Sequence, residues 1–248
     1  MIWEIVLISL SFAVIGYLFG SIIFGAIISK IAKKDVRKTG SRNIGGTNVS
    51  RVMGKPMGLL VSFLDAIKGY LAIIVCWIIF RYTIYNWQSA DAFHLYPIVF
   101  ISGIFAVMGH CWPVQYLRML FKTKFNFDKS RIKSGGKGVS TAGGVVFAIS
   151  PWLGLIAFGL FVLILLITRY VSLGSIICVF LVSFMIFIPH IDYIYLFNNS
   201  LLYPEKYWPD VVSKLIMMII MLCNSLIVTI RHRKNIGCLI MHKERKFF

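Results

Sequence analysis

Long apolar stretches dominate the chain. They run Ile2–Ile31 with only Glu4 and Lys30 charged, Met57–Phe80 interrupted by Asp65 and Lys68, Ala92–Val114, Val139–Thr168, Leu173–Pro189 and Val211–Ile230. About 17–25 apolar residues suffice to cross a hydrocarbon core about 30 Å thick, so these stretches predict membrane helices. A cleaved secretory signal does not fit the N-terminus, which has no basic residues before its apolar run and no early small-residue cleavage pattern.

The polar intervals give the orientation. Residues 30–55 hold eight Lys or Arg, 118–137 hold seven, and Arg169 with the tail from residue 231 adds seven more, which makes 22 of the 26 in the chain. Basic connections stay in the cytoplasm, so these four segments are predicted to lie there. The connections 81–94 and 191–210 carry only Arg81 and Lys206 as basic residues and read as external. This rule bears on Val139–Thr168. As a single span it would carry Arg169 and the basic tail outside, whereas the Ser150-Pro151-Trp152 break allows a helical hairpin. Its first arm, Val139–Ser150, would be about 18 Å long and too short to cross alone, so a short or re-entrant helix shielded by its neighbours is expected. The prediction is an all-α integral membrane protein of about seven transmembrane or partly re-entrant helices. Its N-terminus is out, its C-terminus is in, and it forms one domain over 1–248 with a lysine-rich cytoplasmic insertion at about 115–132.

Composition removes other classes. The chain is 58% hydrophobic and 14% charged with mean hydropathy +0.82, against about 45–50% and 25% in soluble domains. Disorder requires low hydrophobicity and is excluded. The net charge of +17 is dispersed between apolar runs, which suits a membrane surface and anionic lipid rather than nucleic acid. The five cysteines show no paired spacing, and Cys76, Cys178 and Cys223 lie within spans. Neither a disulfide framework nor a zinc site is indicated, and no metal or organic cofactor is called for.

Three basic segments have compositions suited to chemistry. Thr39-Gly-Ser-Arg-Asn-Ile-Gly-Gly-Thr-Asn-Val-Ser-Arg51 combines glycines with Ser41, Asn43, Thr47, Asn48 and Arg51. Permissive backbone and a guanidinium fork suit a phosphate, although a plain polar connector would read the same way. Ser134-Gly-Gly-Lys-Gly-Val-Ser-Thr141 leads straight into an apolar helix, where unpaired amides and the helix dipole favour an anion. It is not a nucleotide P-loop, because Gly138 stands where Ser or Thr would follow Lys137 and no strand precedes it. Arg231-His-Arg-Lys-Asn-Ile236 ends the last span, with His232 and Asn235 on one helical face. Its Arg231, Arg233 and Lys234 read most simply as snorkelling anchors. Asp65 and Lys68, three residues apart within a span, read as an ion pair steadying the helix beneath the first loop or as chemistry. Ser172 reads as a helix N-cap or an assisting hydroxyl with Ser175, and His110 as a packing or interfacial residue.

Taken together, these residues make the chain resemble the bacterial acyl-phosphate:glycerol-3-phosphate acyltransferases, the PlsY family, over nearly its whole length. The first family motif is matched by Gly40, Ser41, Asn43, Gly45, Thr47, Asn48 and Arg51, the second by Gly135, Gly136, Lys137 and Gly138, and the third by His232, Asn235 and Glu244. Asp65-x-x-Lys68-Gly69, Gly109-His110-x-x-Pro113 and Val171-Ser172-Leu173 are also similar. Arg42 replaces a glycine of the first motif, Cys238 and His242 stand where the third has a basic residue and a glycine, and residues 115–132 are inserted.

The resemblance implies transfer of a fatty acyl group from acyl phosphate to the 1-hydroxyl of glycerol 3-phosphate, giving lysophosphatidic acid and phosphate without an acyl-enzyme. Ser41, Arg51, Lys137, His232 and Asn235 are then the catalytic candidates. Asn43, Gly45, Thr47, Asn48, Gly135, Gly136, Gly138, Ser172 and Ser175 are candidates for binding substrate or phosphate, and Asp65, Lys68 and Glu244 for structural support. No histidine is followed at His-x4-Asp spacing by an aspartate, so the base and orienter of soluble glycerol-phosphate acyltransferases are absent. The competing readings are a transporter or flippase for an anionic solute or lipid, and a scaffold for lipid enzymes.

Overall fold

The computed structural model describes residues 2–83, 97–123, 135–188 and 211–248. The predicted connection 191–210, most of 81–94, and the insertion from residue 124 onward lie outside these residues.

The first apolar run forms two helices, α1 (Ile2–Gly20) and α2 (Phe24–Ile31). A break inside a membrane leaves carbonyls that need partners. Here the Lys68 ammonium donates to the Ile22 carbonyl at 2.5 Å, and the Ser21 hydroxyl receives the Val114 N–H at 3.3 Å. The short α3 (Gly46–Met53) packs against α4 (Lys55–Thr83), which at 29 residues is about 43 Å long. α5 (Ile101–Cys111) and α6 (Val114–Lys122) bend by 55° at Trp112-Pro113, where proline lacks an N–H and bars helical geometry before it. α6 is thus the described start of the predicted insertion.

The predicted hairpin is present as α7 (Val139–Ile149) and α8 (Pro151–Thr168). Ser150 caps α8 by accepting the Leu153 N–H at 3.3 Å, and Pro151 takes the first helical position, where no N–H is needed. α7 has 11 residues, about 16 Å, and is shielded by α4, α5 and α8. It approaches α4 closely because a Cβ on Gly69 would strike the Thr141 carbonyl and one on Gly144 the Ala66 carbonyl. α9 (Val171–Met185), α10 (Val211–Arg231) and α11 (Arg233–Ile240) complete the described chain.

Four of these units are long and apolar enough to cross a membrane, the α1–α2 stretch Trp3–Ile31 counting as one; the bent α5–α6 pair adds a fifth, and α7 and α9 are shorter apolar helices. The seven apolar segments expected from the sequence are therefore all found. Their packed interior includes Phe12, Trp77, Phe100, Ile149, Leu153 and Met221, while Leu7, Leu59, Phe63, Phe158 and Leu166 face outward. Asp65 and Lys68 form the expected ion pair at 2.9 Å, with side chains 3% and 2% exposed. Lys68 also reaches the α1–α2 break and, at 2.8 Å, the imidazole of His110.

Candidate active site

The first glycine segment is folded around one amide. Asn48, buried on α3, places its Nδ2 within 2.8–3.1 Å of the carbonyls of Val36, Thr39 and Asn43, and its Oδ1 accepts the Ser41 N–H at 2.8 Å. Asn43 in turn accepts the Gly45 N–H through Oδ1 at 2.9 Å. These bonds take the side chains that looked like phosphate ligands and use them to shape the loop. Ser41 remains exposed and Thr47 half-buried on its rim. Arg42 adopts φ 59°, a left-handed conformation in which a glycine would be unstrained.

The second segment is held from outside. The N–H groups of Gly135 and Gly136 donate to the last carbonyls of α5, those of Cys111 at 3.0 Å and His110 at 3.1 Å. Their own carbonyls receive the Arg231 guanidinium, Gly135 from Nη2 at 2.9 Å and Gly136 from Nε at 3.1 Å. Gly135 and Gly136 therefore offer no free amide to an anion, contrary to the expectation from sequence. The open donors lie one step further on. Gly138 turns at φ 86° into α7, whose first helical bond comes from Ala142, which leaves the amides of Val139, Ser140 and Thr141 at the helix N-terminus.

Lys137 projects from this turn into a polar chain. Its Nζ donates to Asn235 Oδ1 at 2.7 Å, Asn235 Nδ2 donates to Glu244 Oε1 at 2.6 Å, and Ser172 Oγ donates to the same oxygen at 2.7 Å. Only one orientation of the Asn235 amide satisfies a pure donor on one side and a carboxylate on the other. Ser172 is thus tied to Glu244, and Tyr170 rather than Ser172 occupies the N-cap of α9. Arg51, at the end of α3, donates to the Arg245 carbonyl at 3.4 Å and lies within the field of Glu244. Ser175 bonds back to the Val171 carbonyl at 2.7 Å, one turn below Ser172.

The electrostatics follow from this crowding. Burial, opposed by Glu244 and reinforced by Arg51 and Arg231, brings the Lys137 ammonium down to about 8. Burial, then the charge of Arg245, lowers the Arg51 guanidinium, and Glu244 opposes the shift. His232 is 2% exposed and is lowered to about 4, by burial first and by Lys137 and Arg231 as well. It is therefore neutral at pH 7. Its Nδ1 lies 2.8 Å from the Val228 carbonyl, which can only accept, so the proton sits on Nδ1 and Nε2 keeps its lone pair.

The structure thus joins Lys137, Asn235, Glu244 and Ser172 by direct bonds and sets Arg51 and His232 in their field. It leaves Ser41, Asn43, Thr47 and Asn48 on the adjoining loop, without a direct bond to that chain. Sequence reasoning passed over Arg231, which reads as an anchor until α5 is seen beside α10. Its guanidinium lies 5.4 Å from the Trp112 ring, a stacking partner that places it over the glycines. Arg233 and Lys234 are exposed, as anchors should be. No cluster of acidic, histidine or cysteine side chains that could hold a metal ion occurs among the described residues.

Comparison with known proteins fixes the lineage. A family model described as glycerol-3-phosphate acyltransferase matches residues 10–242. The chain belongs to the glycerol-3-phosphate acyltransferase family. Relatives carrying that name include one from Malacoplasma penetrans, 38% identical over 96% of this chain and 93% of its own, and one from Aquifex aeolicus, 34% identical over 96% and 99%. The fold also matches the crystal structure of PlsY, an integral membrane glycerol 3-phosphate acyltransferase, in its glycerol 3-phosphate form. The TM-score is 0.69 and the identity 32%, over 97% of this chain and 96% of that one. The lysophosphatidic acid form of the same enzyme matches with a TM-score of 0.67, also at 32% identity, over 96% and 94%. Family membership favours the acyltransferase reading over the transporter, flippase and scaffold readings.

Proposed function

We propose that this protein transfers a fatty acyl group from acyl phosphate to the 1-hydroxyl of glycerol 3-phosphate at the cytoplasmic face of the cell membrane. The observation that carries the reading is the Lys137–Asn235–Glu244–Ser172 chain at the N-terminus of α7, beside Arg51, Arg231 and a neutral His232. Cations outnumber the single carboxylate there, which suits phosphate groups carrying close to two negative charges near pH 7. The surrounding helices supply apolar surface for an acyl chain. Solved relatives with glycerol 3-phosphate and lysophosphatidic acid support the same acceptor and product. The distribution of 22 of 26 basic residues supports an N-terminus out and a C-terminus in, and the family match over residues 10–242 supports one domain.

Acyl phosphate is already activated, so positioning and charge stabilisation carry the reaction. The acceptor oxygen attacks the acyl carbon, the bond between that carbon and the bridging oxygen breaks, and phosphate leaves with that oxygen and the electron pair. Lys137, Arg51 and the amides of Val139–Thr141 hold the phosphates and the developing charge. The hydroxyl proton passes to the departing phosphate or to His232 Nε2. Asn235 fixes the Lys137 ammonium, and Glu244 and Ser172 fix Asn235. Ser41, with Asn43, Gly45, Thr47 and Asn48 shaping its loop, closes the pocket on the side of Arg51. Gly135 and Gly136 seat Lys137, Gly138 turns the chain into α7, and Ser175 lies one helical turn from Ser172 on the same face of α9. Purified protein given acyl phosphate and glycerol 3-phosphate should release one phosphate for each lysophosphatidic acid formed; release of neither would overturn the assignment.

A further inference from the structure

The buried charge at the α4–α5 crossing lies apart from the polar chain around Lys137, yet it touches the segment that carries Lys137. The Lys68 ammonium donates to the Ile22 carbonyl at 2.5 Å, lies 2.8 Å from His110 Nδ1, and forms an ion pair at 2.9 Å with Asp65 Oδ1, which itself lies 3.5 Å from His110 Nδ1. An ammonium can only donate, so the imidazole accepts at Nδ1 and carries its own proton on Nε2. That second edge faces Gly136, because a Cβ built on Gly136 would collide with Nε2. The backbone of the same residue is fixed as well, since the His110 carbonyl receives the Gly136 N–H at 3.1 Å. One residue thus supports Gly136 from below through its ring and its carbonyl, while Arg231 holds it from above.

We propose that His110, locked in orientation by Asp65 and Lys68, is a positioning residue that sets the height of Gly136 and hence of the Lys137 ammonium in the phosphate site. The proposal rests on the reading of Lys137 as a phosphate ligand. A buried ion cluster is a poor stabiliser in itself, because desolvation offsets much of the attraction. Its geometric role is what this placement explains. A ligand displaced by about 1 Å can lose about a hundredfold in rate, so the floor of the segment matters even though His110 touches no substrate.

The test is a paired substitution. Gly136→Ala drives a methyl into the imidazole and should raise KM for glycerol 3-phosphate between about tenfold and a hundredfold, with a smaller change in kcat. His110→Asn removes the Nε2 edge and keeps an acceptor for Lys68 near the position of Nδ1. The double variant should therefore recover most of the KM lost by Gly136→Ala. Losses that simply multiply would overturn the proposal. A second measurement covers poor accumulation of the double variant: glycerol 3-phosphate should protect the wild type against thermal unfolding and protect Gly136→Ala markedly less, and equal protection of both would overturn it. Protection is read without turnover. A wild type that is protected yet makes no lysophosphatidic acid would sink the acyl-transfer reading alone; the positioning claim is then read from protection by glycerol 3-phosphate, which the double variant should regain where Gly136→Ala has lost it, and no regain would overturn it.

Discussion

The two glycine-rich segments look alike in sequence and are built in opposite ways. The first, residues 40–51, closes on itself: the Asn48 amide gathers the carbonyls of Val36, Thr39 and Asn43 and the N–H of Ser41. The second, Gly135–Gly138, makes no comparable bonds within itself and hangs between the carbonyl end of α5 and the guanidinium of Arg231. A glycine-rich run shows that backbone can come close to something. It does not show whether that partner is substrate or protein. In the second segment the amides of Gly135 and Gly136 are taken by protein, and the open donors are those that begin α7.

This contrast can be tested by breaking each segment where it is held. Lys137→Ala removes the group that the second segment presents and should lower kcat by at least about a hundredfold while membrane insertion is unchanged, measured by phosphate release. Near-normal turnover would take Lys137 out of the site. Asn48→Ala leaves the first loop without its centre and should destabilise the protein by about 3 kcal/mol, seen as a lowered thermal midpoint. Arg231→Ala releases only the outer hold on the second segment. It should raise KM for glycerol 3-phosphate about tenfold with little change in the thermal midpoint, and Arg231→Lys should restore little, because a lysine cannot span both carbonyls. If Arg231→Ala acted mainly on stability and Asn48→Ala mainly on KM, the assignment of the two architectures would be reversed. The smallest effect belongs to Arg42→Gly. It removes the left-handed strain at φ 59° and adds freedom to the unfolded chain, for a net gain of a few tenths of a kcal/mol in denaturant unfolding, up to about 1.

Much of the fold was legible because membrane helices are specified locally. The apolar stretches gave seven segments, and the Ser150-Pro151 break gave the α7–α8 hairpin, since proline at the first helical position and a serine cap are both local devices. The Asp65–Lys68 pair followed from its spacing of three within an apolar run. What escaped depends on which helices meet. Arg231 and Trp112 are 119 positions apart, and nothing local shows that α10 brings one onto the other. Ser172 had the look of a cap until Glu244, 72 residues later in the chain, took its hydroxyl. His110 had the look of packing until its ring was seen under Gly136 and its Nδ1 on Lys68. The motifs marked the right region, while the division of labour within them came from contacts between distant segments.

A half-buried Lys137 ammonium, not the amides of Gly135 and Gly136, receives the substrate phosphate. This assignment is tested most directly by the pH dependence of kcat/KM in the purified enzyme. The ammonium binds phosphate only while protonated, and in the substrate-free site it is held down to about 8. kcat/KM should fall tenfold per unit above that pH, kcat should hold to higher pH because bound phosphate favours the protonated amine, and Lys137→Arg should remove the alkaline limb. A profile flat to pH 10, or an alkaline limb that persists unchanged in Lys137→Arg, would contradict it.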